Sequence, residues 1–217
     1  MPTFGTVQFE FLLWGALWTL VLSLIACLGG ALLGFAVAMA RISPATPLRW
    51  LSAAYVQLVQ GTPLLVLLFV FYFGFDVFGI RGVPALVAAG AGLVIYASAY
   101  LGEIWRGAIQ SVPRTQWEAA ECLAMTRWGR MRSVILPQAL RIATAPTVGF
   151  MVQVVKNTSL ASVVGFVELS QAGKIVNNST FQPFLVFVVV ALIYFAMCYP
   201  LSAWSRQLER RLNVGRR

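Results

Sequence analysis

Thirty consecutive residues of this chain, Phe11 to Ala40, carry no charged side chain. A bilayer core is crossed by ~20 helical residues. The run therefore reads as a membrane span with room for tilt or an interfacial start. Similar runs recur: Trp50 to Phe75 is 26 uncharged residues, and Gly82 to Gly102 is 21. Only 14 separate Arg141 from Lys156, but apolar character resumes at Leu160 and continues to Val167, which gives a fourth span with polar residues inside it. Ile175 to Ser205 is a further 31, apolar in its second half. The expected spans are about 11–40, 50–75, 82–102, 142–167 and 183–205, within a single all-α integral membrane domain over residues 1–217. An odd number of spans puts the two termini on opposite sides.

Composition agrees. Hydrophobic residues make up 59% of the chain and charged residues 11%, against ~25% charged in an ordinary soluble domain. Disorder is excluded by the same hydrophobicity. The net charge of +9 would suggest nucleic acid in a soluble protein, but here its distribution decides. Segment 41–49, the stretch 106–141 and the tail 206–217 hold 13 of the 16 basic residues, all on one side of the expected topology. Arg81 and Lys174 fall on the other side, and Lys156 within the fourth span. Basic loops stay cytoplasmic, so the central loop and the C-terminus are expected inside and the N-terminus outside. No nucleic-acid partner is needed. Met1 to Glu10 lacks the basic residues of a cleaved leader, so the first apolar run is expected to be a retained span.

There is no histidine, and Cys27, Cys122 and Cys198 lie far apart. That leaves no His/Cys metal site and no disulfide framework, so the cysteines are expected to pack. No Gly-x-x-x-x-Gly-Lys-Ser/Thr loop occurs: Gly173-Lys174 is followed by Ile175. The chain is not expected to hold ATP or any cofactor itself, nor to be an enzyme. In the first span Ala26, Gly30, Gly34 and Ala38 place a small residue at every fourth position, a packing signal for close helix approach.

The stretch from Glu103 to Arg141 is long and not apolar enough to span. Thr115 and Glu118 have capping-box spacing, which predicts a short helix over Gln116–Met125 behind Pro113. Thr126 is a second cap candidate, before a helix over Arg127–Leu136, with Pro137 and Pro146 punctuating the residues beyond it. Two short helices lying on the cytoplasmic face are expected. An Ala-rich helix fits a partner's groove at little entropic cost, while an interfacial helix with arginines on lipid phosphate explains the pattern equally well.

Particular residues carry a resemblance that separates these readings. Glu118-Ala119-Ala120, Ala124 and Val134-Ile135-Leu136-Pro137 resemble the EAA signature of ABC-importer permeases, with Ala124 where that family has Gly and Val134 in place of Ile. Gly61-Thr62-Pro63-Leu64-Leu65 (after Gln60, not Arg), Ala99-Tyr100-Leu101-Gly102-Glu103-Ile104-Trp105-Arg106-Gly107, Leu136-Pro137-Gln138-Ala139-Leu140-Arg141 and Lys156-Asn157-Thr158-Ser159-Leu160 are similar to segments of its polar amino-acid branch. The resemblance runs over residues 11–212. It implies a type I importer permease of MetI-like fold in the bacterial cytoplasmic (inner) membrane, with loop 106–137 forming a coupling helix. Glu118, Ala119, Ala120 and Ala124 would lie in or beside the contact with a separate ATP-binding subunit dimer that carries ATP and Mg²⁺. A second permease subunit, identical or related, an extracytoplasmic substrate-binding protein and an amino-acid substrate are also implied. Because Ala disfavours positive φ, the turn at Ala124 is expected to be helical.

Polar residues inside spans are the candidates for a path. Lys156 lies 15 residues beyond Arg141, roughly 22 Å along a helix, among Gln153, Asn157, Thr158 and Ser159. Gln153, Lys156 and Asn157 share a helical face. Lys156 suits a substrate carboxylate, snorkels to the outer surface, or forms a salt bridge to a carboxylate on another helix; the resemblance favours the path. Glu103 could meet a substrate ammonium, although Arg106 at i+3 offers an interfacial ion pair. Gln57 and Gln60 are one turn apart and could line the same path, beside a helix interrupted at Thr62-Pro63. Asp76 and Arg81 flank an outer loop suited to a binding protein, and the basic tail suits anionic membrane lipid. The expected function is an ATP-driven importer permease for polar amino acids, acidic or neutral ones favoured because Asn157 stands where an Asp would add negative charge. The rival is a secondary transporter or channel working without an ATPase, which would show an internal repeat and coupling carboxylates. A structural assembly protein would need neither Lys156 nor the patterned loop.

Overall fold

The computed structural model describes residues 4–77 and 79–214; the expected tail arginines Arg216 and Arg217 lie outside them. Among the described residues every regular element is helical and none is a strand. α1 spans Thr6–Arg41, α2 Thr46–Gly61, α3 Leu64–Val77, α4 Ala85–Gln110, α5 Arg114–Cys122, α6 Arg127–Arg130, α7 Leu136–Asn157, α8 Leu169–Thr180 and α9 Pro183–Val214. Four stretches are long and apolar enough to cross a membrane: α1, α4, the run Arg127–Val164 and the Pro183–Arg210 part of α9. The pair α2 and α3 makes a fifth if it is taken as one broken span.

That pair replaces the single expected span over 50–75. Its halves meet at 104°, a far sharper break than a proline kink. Pro63 has no N–H to continue the ladder. Thr62 takes up the freed carbonyls instead: its N–H donates to Val59 O at 3.4 Å and its Oγ1 to Leu58 O at 2.7 Å. These two carbonyls are thereby occupied and are not offered to a path.

α1 and α4 pack along their length. Ala26, Gly30, Gly34 and Ala38 are all buried, and the close approach they permit is used in full. A Cβ on Gly30 would collide with the Ala97 Cβ, and one on Gly34 would sit 3.1 Å from Ser98 O. Around this seam Leu22, Leu68, Leu93, Phe150 and Val154 form the main apolar core, joining α1, α3, α4 and α7. A second core, with Leu12, Leu169, Val176 and Val186, joins α1 to α8 and α9.

The expected second short helix over 127–136 is not separate. α6 continues through a π-helical turn, Met131–Ile135, directly into α7. Pro137 sits just past this turn, where its ring would crowd the Ser133 carbonyl in a regular helix. The wider turn accommodates it, with Leu136 N–H donating to Met131 O. α7 then carries Pro146 within it and gives way to a 3₁₀ segment, Thr158–Val164. Gly165, at φ +80°, turns the chain back into α8.

Candidate functional site

Two features separate themselves from the bundle. The first is α5 with its flanking turns. α5 starts after Pro113, whose ψ of 140° marks the N-cap, and no side chain caps it. The expected Thr115–Glu118 capping box is not formed, because the helix begins one residue before Thr115 and both residues lie within its first turns. The inner face is anchored. Trp117 packs on Ile109, Val112, Ile135 and Ala139; Ala120 is 2% exposed. Arg130 Nη1 donates to Trp117 O at 3.5 Å and pairs with Glu121 at 3.3 Å. Gln138 Nε2 donates to Gln116 Oε1 at 3.3 Å. The outer face is free: Glu118, Ala119 and Ala124 are exposed, and so are Leu123 at 75% and Trp128 at 68%. Of the four EAA-loop residues, three therefore point outward and Ala120 forms the floor.

The turn that ends α5 departs from expectation. Ala124 is not helical but left-handed, at φ +52°. Its N–H donates to Glu121 O at 2.9 Å, and Met125 N–H reaches back to Ala120 O at 3.2 Å. That long return bond closes only around a left-handed residue, which is the position where Gly is at ease. Thr126 then caps α6 as expected, its Oγ1 accepting from Gly129 N–H at 3.1 Å.

The second feature is a polar strip at the end of α7. Gln153 and Lys156 are exposed and Asn157 is partly so. Gln153 Nε2 donates to Asn157 Oδ1 at 3.0 Å, so the two amides form one unit. Lys156 forms no ion pair among the described residues. Ser159 donates its hydroxyl to Lys156 O at 2.7 Å, and buried Thr158 donates to Val155 O, so these hydroxyls close the helix end rather than facing outward as donors. Beside the strip stands an aromatic group that the sequence does not single out. Tyr100 stacks on Phe150 with centroids 5.4 Å apart and planes 11° apart, and Tyr96 lies 4.5 Å from Tyr100.

Other candidates fall elsewhere. Glu103 is engaged by Arg106 on one oxygen and by Arg41 Nε at 3.4 Å on the other. It clamps the end of α4 to the end of α1, with both of its oxygens engaged by guanidinium groups. Gln60 is turned onto α4, donating to Ala99 O at 3.5 Å, while Gln57 is exposed. Both ride on α2, which packs on α1 and α4. Among the described residues no hydrogen bond joins them to the strip on α7.

One polar residue escapes sequence reasoning altogether. Glu168 is fully buried and caps α8, accepting from Ser170 and Gln171 N–H, both at 2.9 Å. It also accepts from Tyr194 OH at 2.6 Å and Thr19 Oγ1 at 3.4 Å. One carboxylate thus ties α1, α8 and α9 together. Its only sequence signal is a lone acidic residue in an apolar stretch directly before a helical pattern.

Comparisons with known proteins bear on what this arrangement serves. Residues 30–214 match the family described as "Binding-protein-dependent transport system inner membrane component". A probable glutamine ABC transporter permease protein of Bacillus subtilis (strain 168), GlnM, is 40% identical over 195 residues, covering 90% of each chain. A probable amino-acid ABC transporter permease protein of the same organism, YckA, is 36% identical over 204 residues, 94% of this chain and 90% of the relative. A chain in a crystal structure of an amino acid ABC transporter with histidines superposes with a TM-score of 0.88 at 33% identity, covering 97% of this chain and 100% of that one.

Proposed function

The chain belongs to the family of binding-protein-dependent transport system inner membrane components, as a multi-pass amino-acid ABC transporter permease subunit of MetI-like fold, and from that premise we propose that it imports polar amino acids, neutral or acidic ones favoured. In this reading the free outer face of α5 docks on a separate ATP-binding subunit. A dimer of that subunit carries the ATP and Mg²⁺, a second permease subunit completes the path, and an extracytoplasmic binding protein delivers the substrate. The basic side, with α5 and the C-terminus, faces the cytoplasm by the positive-inside rule.

The observation that carries the substrate reading is the strip on α7. Lys156 offers an unpaired cation to the carboxylate that every amino acid bears, and the Gln153–Asn157 amide pair offers neutral hydrogen-bonding groups beside it. Among the described residues, Glu103 is engaged by two arginines and Glu168 is enclosed, so neither offers a free carboxylate to a cationic side chain. A substrate side chain with an amide, hydroxyl or carboxylate suits this strip; a guanidinium or ammonium does not.

The test is uptake into proteoliposomes holding the full transporter. Glutamine or glutamate is expected to enter faster than arginine or lysine. Asn157→Asp, which places a charge beside Lys156, should raise the arginine-to-glutamine uptake ratio several-fold. An unchanged ratio would sink the assignment of this strip to substrate selection.

A further inference from the structure

A cavity of about 590 Å³ opens between the α1–α2 turn and the α5–α6 segment. Four arginines line it, Arg41, Arg49, Arg127 and Arg130, together with Trp117 and a single acidic residue, Glu121. Two of the four are accounted for: Arg41 by Glu103 and Arg130 by Glu121. Arg49 and Arg127 are exposed and form no ion pair among the described residues. The lining therefore keeps an excess of positive charge with two guanidinium groups uncommitted, one on each wall. A planar guanidinium donates paired N–H groups to phosphate oxygens with well-matched geometry.

The cavity also has a defined level. Arg41 is the last residue of α1, so the cavity lies where an apolar span ends. Arg49 is flanked by Leu48, Trp50 and Leu51, and the latter two are 71% and 72% exposed. Exposed Trp and Leu around a cationic residue at a span's end are the pattern of a lipid-facing interface. A basic pocket between helix ends on one side of a membrane suits an anionic headgroup.

We propose that this cavity binds the phosphodiester of an anionic phospholipid, held between Arg49 and Arg127 and backed by Arg41 and Arg130. A bound headgroup would link the α1–α2 turn to the segment beyond α5. The inference needs only that α1 and α4 cross the membrane; it stands apart from the choice of amino acid and from the docking role of α5.

Native mass spectrometry of the full-length chain, titrated separately with phosphatidylglycerol and phosphatidylcholine, tests it. Phosphatidylglycerol should bind about tenfold more tightly. The double variant Arg49→Gln/Arg127→Gln should reduce that preference to less than about twofold, and the charge-keeping Arg49→Lys/Arg127→Lys should retain most of it. A variant outside the cavity, Arg132→Gln/Arg141→Gln, at two exposed arginines that do not line it, should behave as the native chain. Equal binding of the two lipids by the native chain overturns the proposal, as does an Arg132→Gln/Arg141→Gln variant that loses as much preference as the cavity variant. Should the Gln double variant fail to fold, the Lys variant decides, and its loss of preference overturns the fit to the cavity. Millimolar inorganic phosphate separates the two sources of this chemistry. Lipid retained in its presence supports the headgroup, and lipid displaced by it assigns the cavity to soluble phosphate and overturns the lipid assignment.

Discussion

Ala124 occupies a left-handed conformation that costs an L-residue roughly 1–2 kcal/mol. Ala124→Gly should remove much of that cost. For a chain of this size, about 1 kcal/mol moves the melting temperature by roughly 2–4 °C, upward here, and thermal unfolding in detergent would read it. A lower or unchanged melting temperature would contradict the strain. The sequence places this residue at the turn but points to the wrong backbone, because propensity alone ignores the return bond from Met125 to Ala120 that the end of α5 demands. Glu103 is half legible for a similar reason. Its neighbour Arg106 is visible at i+3, while Arg41, 62 residues away, closes the clamp only in the fold. The role of Glu168 is not legible in the sequence because its partners Thr19 and Tyr194 come from distant helices; its lone acidic position before a helical pattern marks it as a cap candidate but not as a tie between helices.

Helices are legible where one physical constraint dominates. The small-residue repeat in α1 marks a packing seam, and the seam with α4 uses it. Gly30→Val tests that seam. Its side chain would meet Ala97 and the backbone at Ser98, which cannot rotate away. Overpacking of this kind costs about 1–3 kcal/mol, and more where backbone is the obstacle. Folded yield and melting temperature should both fall. Gly74→Ala, whose Cβ meets nothing within 4 Å, serves as the neutral comparison; equal behaviour of the two variants would show that the seam tolerates side chains. α8 has a legible pattern that a search for spans overlooks. Leu169, Ala172, Gly173, Val176 and Thr180 lie on one buried face at helical spacing, but the uncharged run from Ile175 draws attention to its apolar second half. Pro63 predicts an interruption, not a turn of 104°, since a proline fixes that the ladder stops and not where the next helix points.

At the scale of the whole molecule, the bundle holds two faces in fixed relation. α7 bears the polar strip at one end and runs back through the π-helical turn and α6 to the turn at Ala124. A push on α5 is therefore received at the far end of the helix that carries Lys156, through one nearly continuous helical run of Arg127–Val164. Under the proposed function this connection would couple an ATP-binding subunit to the path, and Glu118 on the outer face of α5 is where it should be most exposed to change. The most direct measurement is ATP hydrolysis and uptake together, by the complete transporter in liposomes with its binding protein, across a panel of amino acids. Hydrolysis should rise selectively with a neutral or acidic polar amino acid, and Glu118→Arg should abolish the linked uptake while the chain still inserts in the membrane. No associated ATPase, hydrolysis indifferent to every amino acid, or unchanged uptake by Glu118→Arg would contradict the account.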